Sequence, residues 1–542
     1  MECKELNDGL HQRIKQEKMI EVNKVNEDKN QPLNNNEKIK TTMSIKQIHE
    51  QMQKLREDTI NQVDEHLQDM VSKMVEGIQY IDKNNYESRY EKYYNDKKKV
   101  VEGDVLAEKE FQVRNSMITD LCNEVNHLRA LYNICVTVLF ILIVNTAVND
   151  YATTGSLQLG FITLKSGFSK FSFVITVWLL MMMFTIGVYI AHTIWAQKRM
   201  ELSPKSIKIW DNSWLFLFVI YQIAFLIIPP KLIMNNDLPP PCSCIILMEQ
   251  LRIVMKIHAF VRSTVPSIIS YKSHTENDKS PIPGFSNFIY FMFAPTIVYR
   301  DNYPRTKEIR WGFVTWHFFE FFMTVHCMTS MFERWVIPTY KNYGLEPFNL
   351  QKFILRYFNT VLPGSIIFIC GFYGLLHTWM NACAELLRFG DRLFYKDWWN
   401  SITYARYYRT WNVVVHDWLY IYIYKDIYEK IVPRNKLIGI CSVFFISAIF
   451  HEYIIGFSLR LFCPIMLLTF GGMGFALVFL TRHVTSVFGN IFMWFSLITG
   501  SGLLVCLYSM EYFARINCQK HYDNIYDLII PRFVLCYVDD MR

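Results

Sequence analysis

Apolar residues are distributed very unevenly along this chain, and their spacing changes character twice. The first forty positions are polar, rich in Asn, Lys, Glu and Gln, and contain no apolar run. Such a composition predicts disorder over 1–44. From Ile45 the pattern becomes periodic. Ile45, Ile48, Met52 and Leu55 follow 3-4-3 spacing, and after a slip Ile60, Val63, Leu67, Met70 and Met74 follow 3-4-3-4 spacing, with charged residues between them. A stripe this narrow resembles a coiled-coil seam, so 45–80 is expected to be an amphipathic helix through which copies of the chain associate. A solvated helix lying on a membrane surface is the plainer alternative. A polar linker over 81–130, with Lys97, Lys98 and Lys99, leads to the next change.

Beyond residue 130 the apolar residues come in long blocks. Eight blocks approach the ~20 residues needed to cross a bilayer. They run near Ile134–Val148, Phe171–Trp195, Trp214–Ile233, Trp311–Met331, Val361–Ala384, Leu437–Leu459, Phe462–Thr481 and Val487–Met510. A ninth, Ile245–Val265, carries Glu249, Arg252, Lys256, His258 and Arg262, so its charges must face the protein interior or an aqueous cavity if it spans. The expectation is an all-α polytopic membrane protein of about nine transmembrane helices, with the membrane domain over 131–517 and a short tail over 518–542. No internal repeat is apparent, which gives no support to the inverted halves of transporters.

Charge supplies the orientation. The chain has 542 residues with 56 Lys and Arg against 49 Asp and Glu. Of these 105 charges, 46 fall in the first 130 residues, a polar head before a membrane body. With the head in the cytoplasm and nine spans, the cytoplasmic loops hold 20 Lys and Arg and the opposite side 11. The positive-inside rule then favours a cytoplasmic N-terminus and a lumenal C-terminus. No basic face is concentrated enough for a nucleic-acid binder. The 13 cysteines show no CxxC pair and no metal-ligand spacing, so no metal site is expected.

Two places carry candidate chemistry. The loop after the sixth block interleaves aromatics with basic residues: Phe394, Tyr395, Lys396, Asp397, Trp398, Trp399 and Asn400, then Tyr407 to Asn412, then His416, Asp417 and Trp418. Arg406, Arg409, Lys425 and Lys436 are suited to an anionic group such as a phosphate. An aromatic belt with positive-inside charge explains the same composition. The second place is His451, which follows the uncharged stretch Leu437 to Phe450. An ionisable group in a span is a functional hypothesis by default, and a neutral imidazole accepts protons near neutral pH. A histidine merely bonded to a neighbouring carbonyl is the bland alternative. His451-Glu452-Tyr453 lacks the second histidine of a zinc HExxH motif, and there is no nucleophile elbow or phosphate loop.

Together these residues resemble a known family. Phe394-Tyr395-Lys396-Asp397-Trp398-Trp399-Asn400 is similar to the F-Y-x-D-W-W-N signature of sterol O-acyltransferases, in the membrane-bound O-acyltransferase family. The run Tyr408 to Trp418, His451-Glu452-Tyr453, Phe293-Ala294-Pro295-Thr296, Tyr303-Pro304-Arg305 and Leu387 to Arg392 resemble the same family, and the likeness extends from about Phe111 to the C-terminus. Asp397 favours the sterol branch over the diacylglycerol branch, whose motif has Glu there. The resemblance implies transfer of a long-chain fatty acyl group from acyl-CoA to a sterol 3β-hydroxyl, with acyl-CoA as substrate and no cofactor. It implies His451 as the catalytic residue, which would act as general base, while Asn412, an uncharged hydrogen-bonding side chain, would hold or polarise the thioester carbonyl. Acyl-CoA would be held by Arg406, Arg409, Asn412, His416, Tyr424, Lys436 and Ser447. It also implies an endoplasmic reticulum membrane protein, a dimer or tetramer, a sterol that is substrate and candidate activator, and a lumenal Cys518–Cys536 disulfide. The bland alternative for that pair is two free thiols. Esterification of diacylglycerol or another lipid alcohol is the nearest rival activity, and a proton-coupled transporter using His451 is a more distant one.

Overall fold

A computed structural model describes residues 109–157, 159–271, 281–346, 349–519, 526 and 530–536, together with Glu50, Met52 and residues 56–60, 64–66 and 68–73. The chain divides into two compact units, Met1–Ala107 and Glu108–Arg542. In the first unit the described residues are helical and exposed, with Lys73 paired to Asp69 one turn away at 2.7 Å. Met52, Ile60 and Met70 of the expected seam are among them and are exposed. The expected disordered segment 1–44 and seam residues Ile45, Ile48, Leu55, Val63, Leu67 and Met74 lie outside the described residues.

The second unit is helical, with no strand among the described residues beyond two isolated bridges, Arg114 to Asp391 and Arg305 to Phe389. Its main helices are α1 (Asn126–Thr154), α2 (Phe171–Glu201), α3 (Pro204–Asn235), α4 (Pro240–Ser270), α5 (Phe285–Phe293), α6 (Trp311–Met331), α7 (Leu350–Gly371), α8 (Tyr404–Trp411), α9 (Val413–Leu419), α10 (Lys436–Leu459), α11 (Phe475–Leu480) and α12 (Phe488–Asn517). α7 runs on through a π-helical stretch, Phe372–Trp379, to Leu386. Pro at the first turn opens α3 and α4, where a missing N–H costs no helix bond.

Among the described residues, six helices are long and apolar enough to cross a membrane: α1, α2, α3, α7 extended to Leu386, α10 and α12. Length and composition identify these six, and the expected count of nine is not confirmed. The other three differ for physical reasons. α4 is 31 residues long but carries the charges noted above. α6 reproduces Trp311–Met331 but contains Glu320 and two histidines. The block Phe462–Thr481 is broken at its start by Cys463-Pro464, leaving an apolar helix of only Leu467–Leu480.

α4 is an interior helix, packed against α2, α3 and α10. Its charges face protein. Glu249 pairs with Arg252 at 2.8 Å and accepts from the Trp178 indole at 3.0 Å. Lys256, 1% exposed, donates to the carbonyls of Phe291 and Ala294, and Arg252 donates to that of Met292. These are the carbonyls at the C-terminal end of α5, which have no partner within their own helix and attract cations. α7 and α12 cross closely enough that a Cβ on Gly364 would lie 2.9 Å from the Gly502 backbone.

Candidate active site

The Phe394–Asn400 loop is placed inside the protein rather than at its boundary. Phe394, Tyr395, Asp397 and Trp398 are buried, Trp399 is half-buried and only Asn400 is exposed. The Trp398 ring is the centre of an aromatic cluster with Phe372, Trp411, Tyr407 and Trp494, at centroid distances of 4.7–6.0 Å. Trp494 and Asn490 of α12 donate to the Trp399 carbonyl at 3.1 and 2.8 Å. Backbone bonds from Lys396 N–H to Thr410 and from Val413 N–H to Phe394 tie the loop to α8 and α9. The composition read as a boundary belt is thus a packing nucleus, since such rings contribute most when fully enclosed.

That nucleus sets the position of the residues after it. Thr403 caps α8 through a bond from Arg406 N–H at 3.3 Å. Arg406 donates to Asp397 at 2.6 Å, so this basic residue is engaged within the loop. Arg409 donates to the Ala405 carbonyl and is exposed. Asn412 caps α9, its Oδ1 accepting from Val415 N–H at 3.1 Å. The amide nitrogen of Asn412 is not part of that cap, so its hydrogens remain for another acceptor. His416, Tyr420, Tyr424 and Tyr428 recur every fourth residue and stack nearly parallel, at interplanar angles of 6–13°. A Cβ on Gly439 of α10 would meet the Tyr424 ring at 2.8 Å, so only glycine lets α10 approach this stack. Lys436 opens α10 at the same end and is exposed. Asp417 lies beside His416 (Oδ1 to Nδ1, 3.4 Å) and pairs through Oδ2 with Lys109 at 2.5 Å. Burial pushes the Asp417 carboxyl up, but His416 and Lys109 outweigh it and hold it below the ordinary aspartate value.

His451 stands on α10. Its Nδ1 lies 2.7 Å from the carbonyl oxygen of Ser447, which can only accept, so Nδ1 carries the proton. The bland alternative and the functional one therefore meet: the carbonyl bond fixes the tautomer that leaves Nε2 with an open lone pair. The His451 ring is exposed on the surface of the chain. It packs on Phe470 at 5.4 Å, and Phe470 packs in turn on Tyr408 of α8 at 5.5 Å. Glu452 turns the other way, is buried, and accepts from Tyr508 of α12 at 3.0 Å and from Leu467 N–H at 3.1 Å. Leu467 begins the π-helical stretch Leu467–Gly474 that carries Phe470.

A second buried polar cluster was not anticipated. His377, in the π-helical stretch after α7, faces Tyr395 Oη at 2.7 Å and Asn381 Nδ2 at 3.2 Å. His317 pairs with Glu320 at 2.9 Å, and Glu320 accepts from Tyr132 and Tyr373. The His317 and His377 rings are 5.3 Å apart and perpendicular. The only sequence signals were the His–Glu spacing of three and the His–Asn spacing of four inside apolar blocks. The cluster anchors Tyr395 and hence the loop. Among the described residues no group of three or more His, Cys, Asp or Glu is gathered as metal ligands.

The structure thus brings Asn412, His416, Tyr424 and Lys436 onto neighbouring parts of α9, the Tyr stack and the start of α10. Ser447 and His451 lie further along α10, and Tyr408 and Phe470 connect that stretch to α8. In the tail, Cys518 and Cys536 form a disulfide with Cα atoms 5.8 Å apart.

Comparison with known proteins identifies the family. Residues 162–510 match the sequence model of MBOAT, the membrane-bound O-acyltransferase family. Sterol O-acyltransferase 1 of Mus musculus is 38% identical over 429 residues, covering 79% of each chain. Sterol O-acyltransferase 1 of Chlorocebus aethiops is 39% identical over 429 residues, 79% of this chain and 77% of that protein. Sterol O-acyltransferase 2 of Homo sapiens is 34% identical over 435 residues, 79% of this chain and 81% of that protein.

Proposed function

The chain belongs to the membrane-bound O-acyltransferase family, and we infer that it is an acyl-CoA:sterol O-acyltransferase. It transfers a long-chain fatty acyl group from acyl-CoA to the 3β-hydroxyl of a sterol, giving a sterol ester and free CoA. The observation that carries the chemical reading is the bond between His451 Nδ1 and the Ser447 carbonyl, which sets the tautomer and leaves Nε2 as the basic nitrogen.

In the proposed reaction, Nε2 takes the sterol hydroxyl proton as the oxygen attacks the thioester carbonyl. The Asn412 amide donates to the carbonyl oxygen as it becomes anionic, which is where fixed donors lower a barrier most. Collapse of that centre breaks the carbon–sulfur bond, and the imidazolium returns its proton to the CoA thiolate. No acyl-enzyme is formed and no cofactor is consumed. Arg409, His416, Tyr424 and Lys436, with Arg406 through its contact to Asp397, form the basic and aromatic surface assigned to CoA, and Ser447 lies near the thioester.

We assign the protein to the endoplasmic reticulum membrane, with the N-terminus cytoplasmic and the tail lumenal. The charge asymmetry of the loops, counted with nine spans, supports that orientation. CoA, polar and anionic, then enters from the basic cytoplasmic side and the sterol enters from lipid. The exposed apolar residues Met52, Ile60 and Met70 support self-association through the N-terminal helix. Free CoA release by purified protein tests the reading, measured with labelled long-chain acyl-CoA and no acceptor, a 3β-hydroxysterol, diacylglycerol or a long-chain alcohol. Release that depends on the sterol supports it. Preference for diacylglycerol or the alcohol overturns the acceptor assignment, and absence of thioester cleavage with every acceptor overturns the reaction.

A further inference from the structure

Residues 109–118 form a strap that is bonded along its length to the loops around the signature. Arg114 pairs with buried Asp391 through two nitrogens at 2.7 and 3.0 Å. Its backbone exchanges bonds with Gly390 and Arg392, where a Cβ on Gly390 would lie 3.1 Å from Val113. Phe111 wedges its ring between Tyr303 and Phe389 at 5.2 and 6.3 Å. Ile118 N–H reaches Tyr395 Oη at 3.4 Å. Lys109 is the first described residue of this strap. Its ammonium lies 5.0 Å from the Phe111 ring and 2.5 Å from Asp417, and the two paired side chains are only 15% and 22% exposed.

An exposed Lys–Asp pair contributes little, because water screens it and two long side chains must be ordered. This pair differs on both counts. The strap already holds Lys109, and Trp418, next to Asp417, is fixed by its indole bond to the Met255 carbonyl at 2.9 Å. Asp417 divides its oxygens, Oδ2 to Lys109 and Oδ1 to His416, whose ring stacks on Tyr420. Remove the ammonium and a half-buried carboxylate is left beside His416, where an anionic ligand must come. Like charge there is repulsive and little screened.

We propose that Lys109, from the segment preceding the membrane helices, is a positioning residue for acyl-CoA: it neutralises Asp417 and so keeps His416 oriented and its surroundings receptive to an anion. The proposal rests on the assignment of His416 to acyl-CoA made above. It makes the acyl-CoA site dependent on the segment that joins the cytoplasmic head to the membrane body.

The experiment uses the full-length protein in detergent, with turnover kinetics and equilibrium binding of a non-hydrolysable acyl-CoA thioether measured side by side. Lys109→Met keeps an unbranched side chain and removes the charge. It is expected to raise both the acyl-CoA KM and the thioether Kd about tenfold, with kcat and the sterol KM within about twofold. Lys109→Arg, which retains the charge, recovers most of the loss. Asp417→Asn added to Lys109→Met also recovers most of it, because the unpaired carboxylate is gone while an oxygen still faces His416. Unchanged thioether affinity in Lys109→Met overturns the proposal. So does a second loss, rather than recovery, on adding Asp417→Asn, which would make the pair a structural clasp alone. Thioether binding does not require a sterol acceptor, so failure of the acyltransferase reading appears separately, as wild-type protein that binds the thioether and releases no CoA.

Discussion

His451 donates its Nδ1 hydrogen to the Ser447 carbonyl oxygen, 2.7 Å away and one turn earlier on the same helix. A carbonyl in that place cannot take part in proton transfer, and the bond holds the ring in one tautomer and one orientation. The basic nitrogen is therefore the one facing away from the helix backbone. Because the partner is main chain, no substitution of the Ser447 side chain removes it. Ser447→Ala is compatible with an intact base, whereas any change of His451 itself is not.

Asn412 has two separable duties, and substitutions divide them. Asn412→Asp keeps an oxygen to cap Val415 N–H but loses the amide donor. It should fold with nearly wild-type thermal stability and lose about 10²–10³-fold in turnover, the usual effect of removing one oxyanion donor. Asn412→Ala loses the cap too, adding about 1 kcal/mol of instability. Turnover by Asn412→Asp close to wild type would reduce the residue to a helix cap.

Glu452 fastens α10 to α12 and to the stretch carrying Phe470. Glu452→Ala leaves Tyr508 Oη and Leu467 N–H without their acceptor, at roughly 1–3 kcal/mol each. Thermal unfolding in detergent and turnover should fall together, and Glu452→Gln, which keeps one oxygen, should fall less. A Glu452→Ala protein as stable as wild type but inactive would instead give Glu452 a direct part in the reaction.

How far the sequence reached depends on the range of the interactions concerned. Long apolar blocks were legible because each helix satisfies its own backbone, and α2, α3, α10 and α12 begin within about ten residues of their expected starts. The number of spans was less legible, since Cys463-Pro464 interrupts one block and Lys256 and Arg252 serve the end of α5 rather than a pore. His451 was legible as one ionisable group in an uncharged stretch. The duty of Phe394–Trp398 was not, because aromatic composition is alike for a membrane belt and a buried nucleus. Only the fold brings Trp494, Phe372 and Trp411 around Trp398. Partners such as Ser116 and Asn381, 265 positions apart at 3.0 Å, leave no local pattern.

The tail should behave as a stapled unit. Cys518 lies against Gly344, whose φ of +91° suits glycine. Asn517 donates to the carbonyls of Lys341 and Tyr343 at 2.8 Å. Non-reduced peptide mapping after thiol blocking should recover Cys518 and Cys536 linked. In the chain-entropy model a loop of this length contributes about 3 kcal/mol, so Cys518→Ala should lower the unfolding temperature. Recovery of both cysteines singly alkylated would remove the staple and weaken the assignment of the tail to the oxidising lumen.

Deleting Met1 to Ile81 removes the exposed residues Met52, Ile60 and Met70 and leaves the strap from Lys109 onward. The shortened protein should keep its turnover and give a smaller particle by size-exclusion chromatography with light scattering. An unchanged particle mass would place the assembly interface in the membrane body.

The central claim is that His451 Nε2 removes the proton from the acceptor hydroxyl. The most direct measurement is sterol-dependent CoA release by purified His451→Ala, at saturating acyl-CoA and sterol, beside wild-type protein of the same oligomeric mass. Loss of a general base alone typically costs about 10²–10⁴-fold, and a loss in that range with acyl-CoA binding retained is the predicted result. Turnover within a few-fold of wild type would contradict it, and would return His451 to a histidine held by its neighbour's carbonyl.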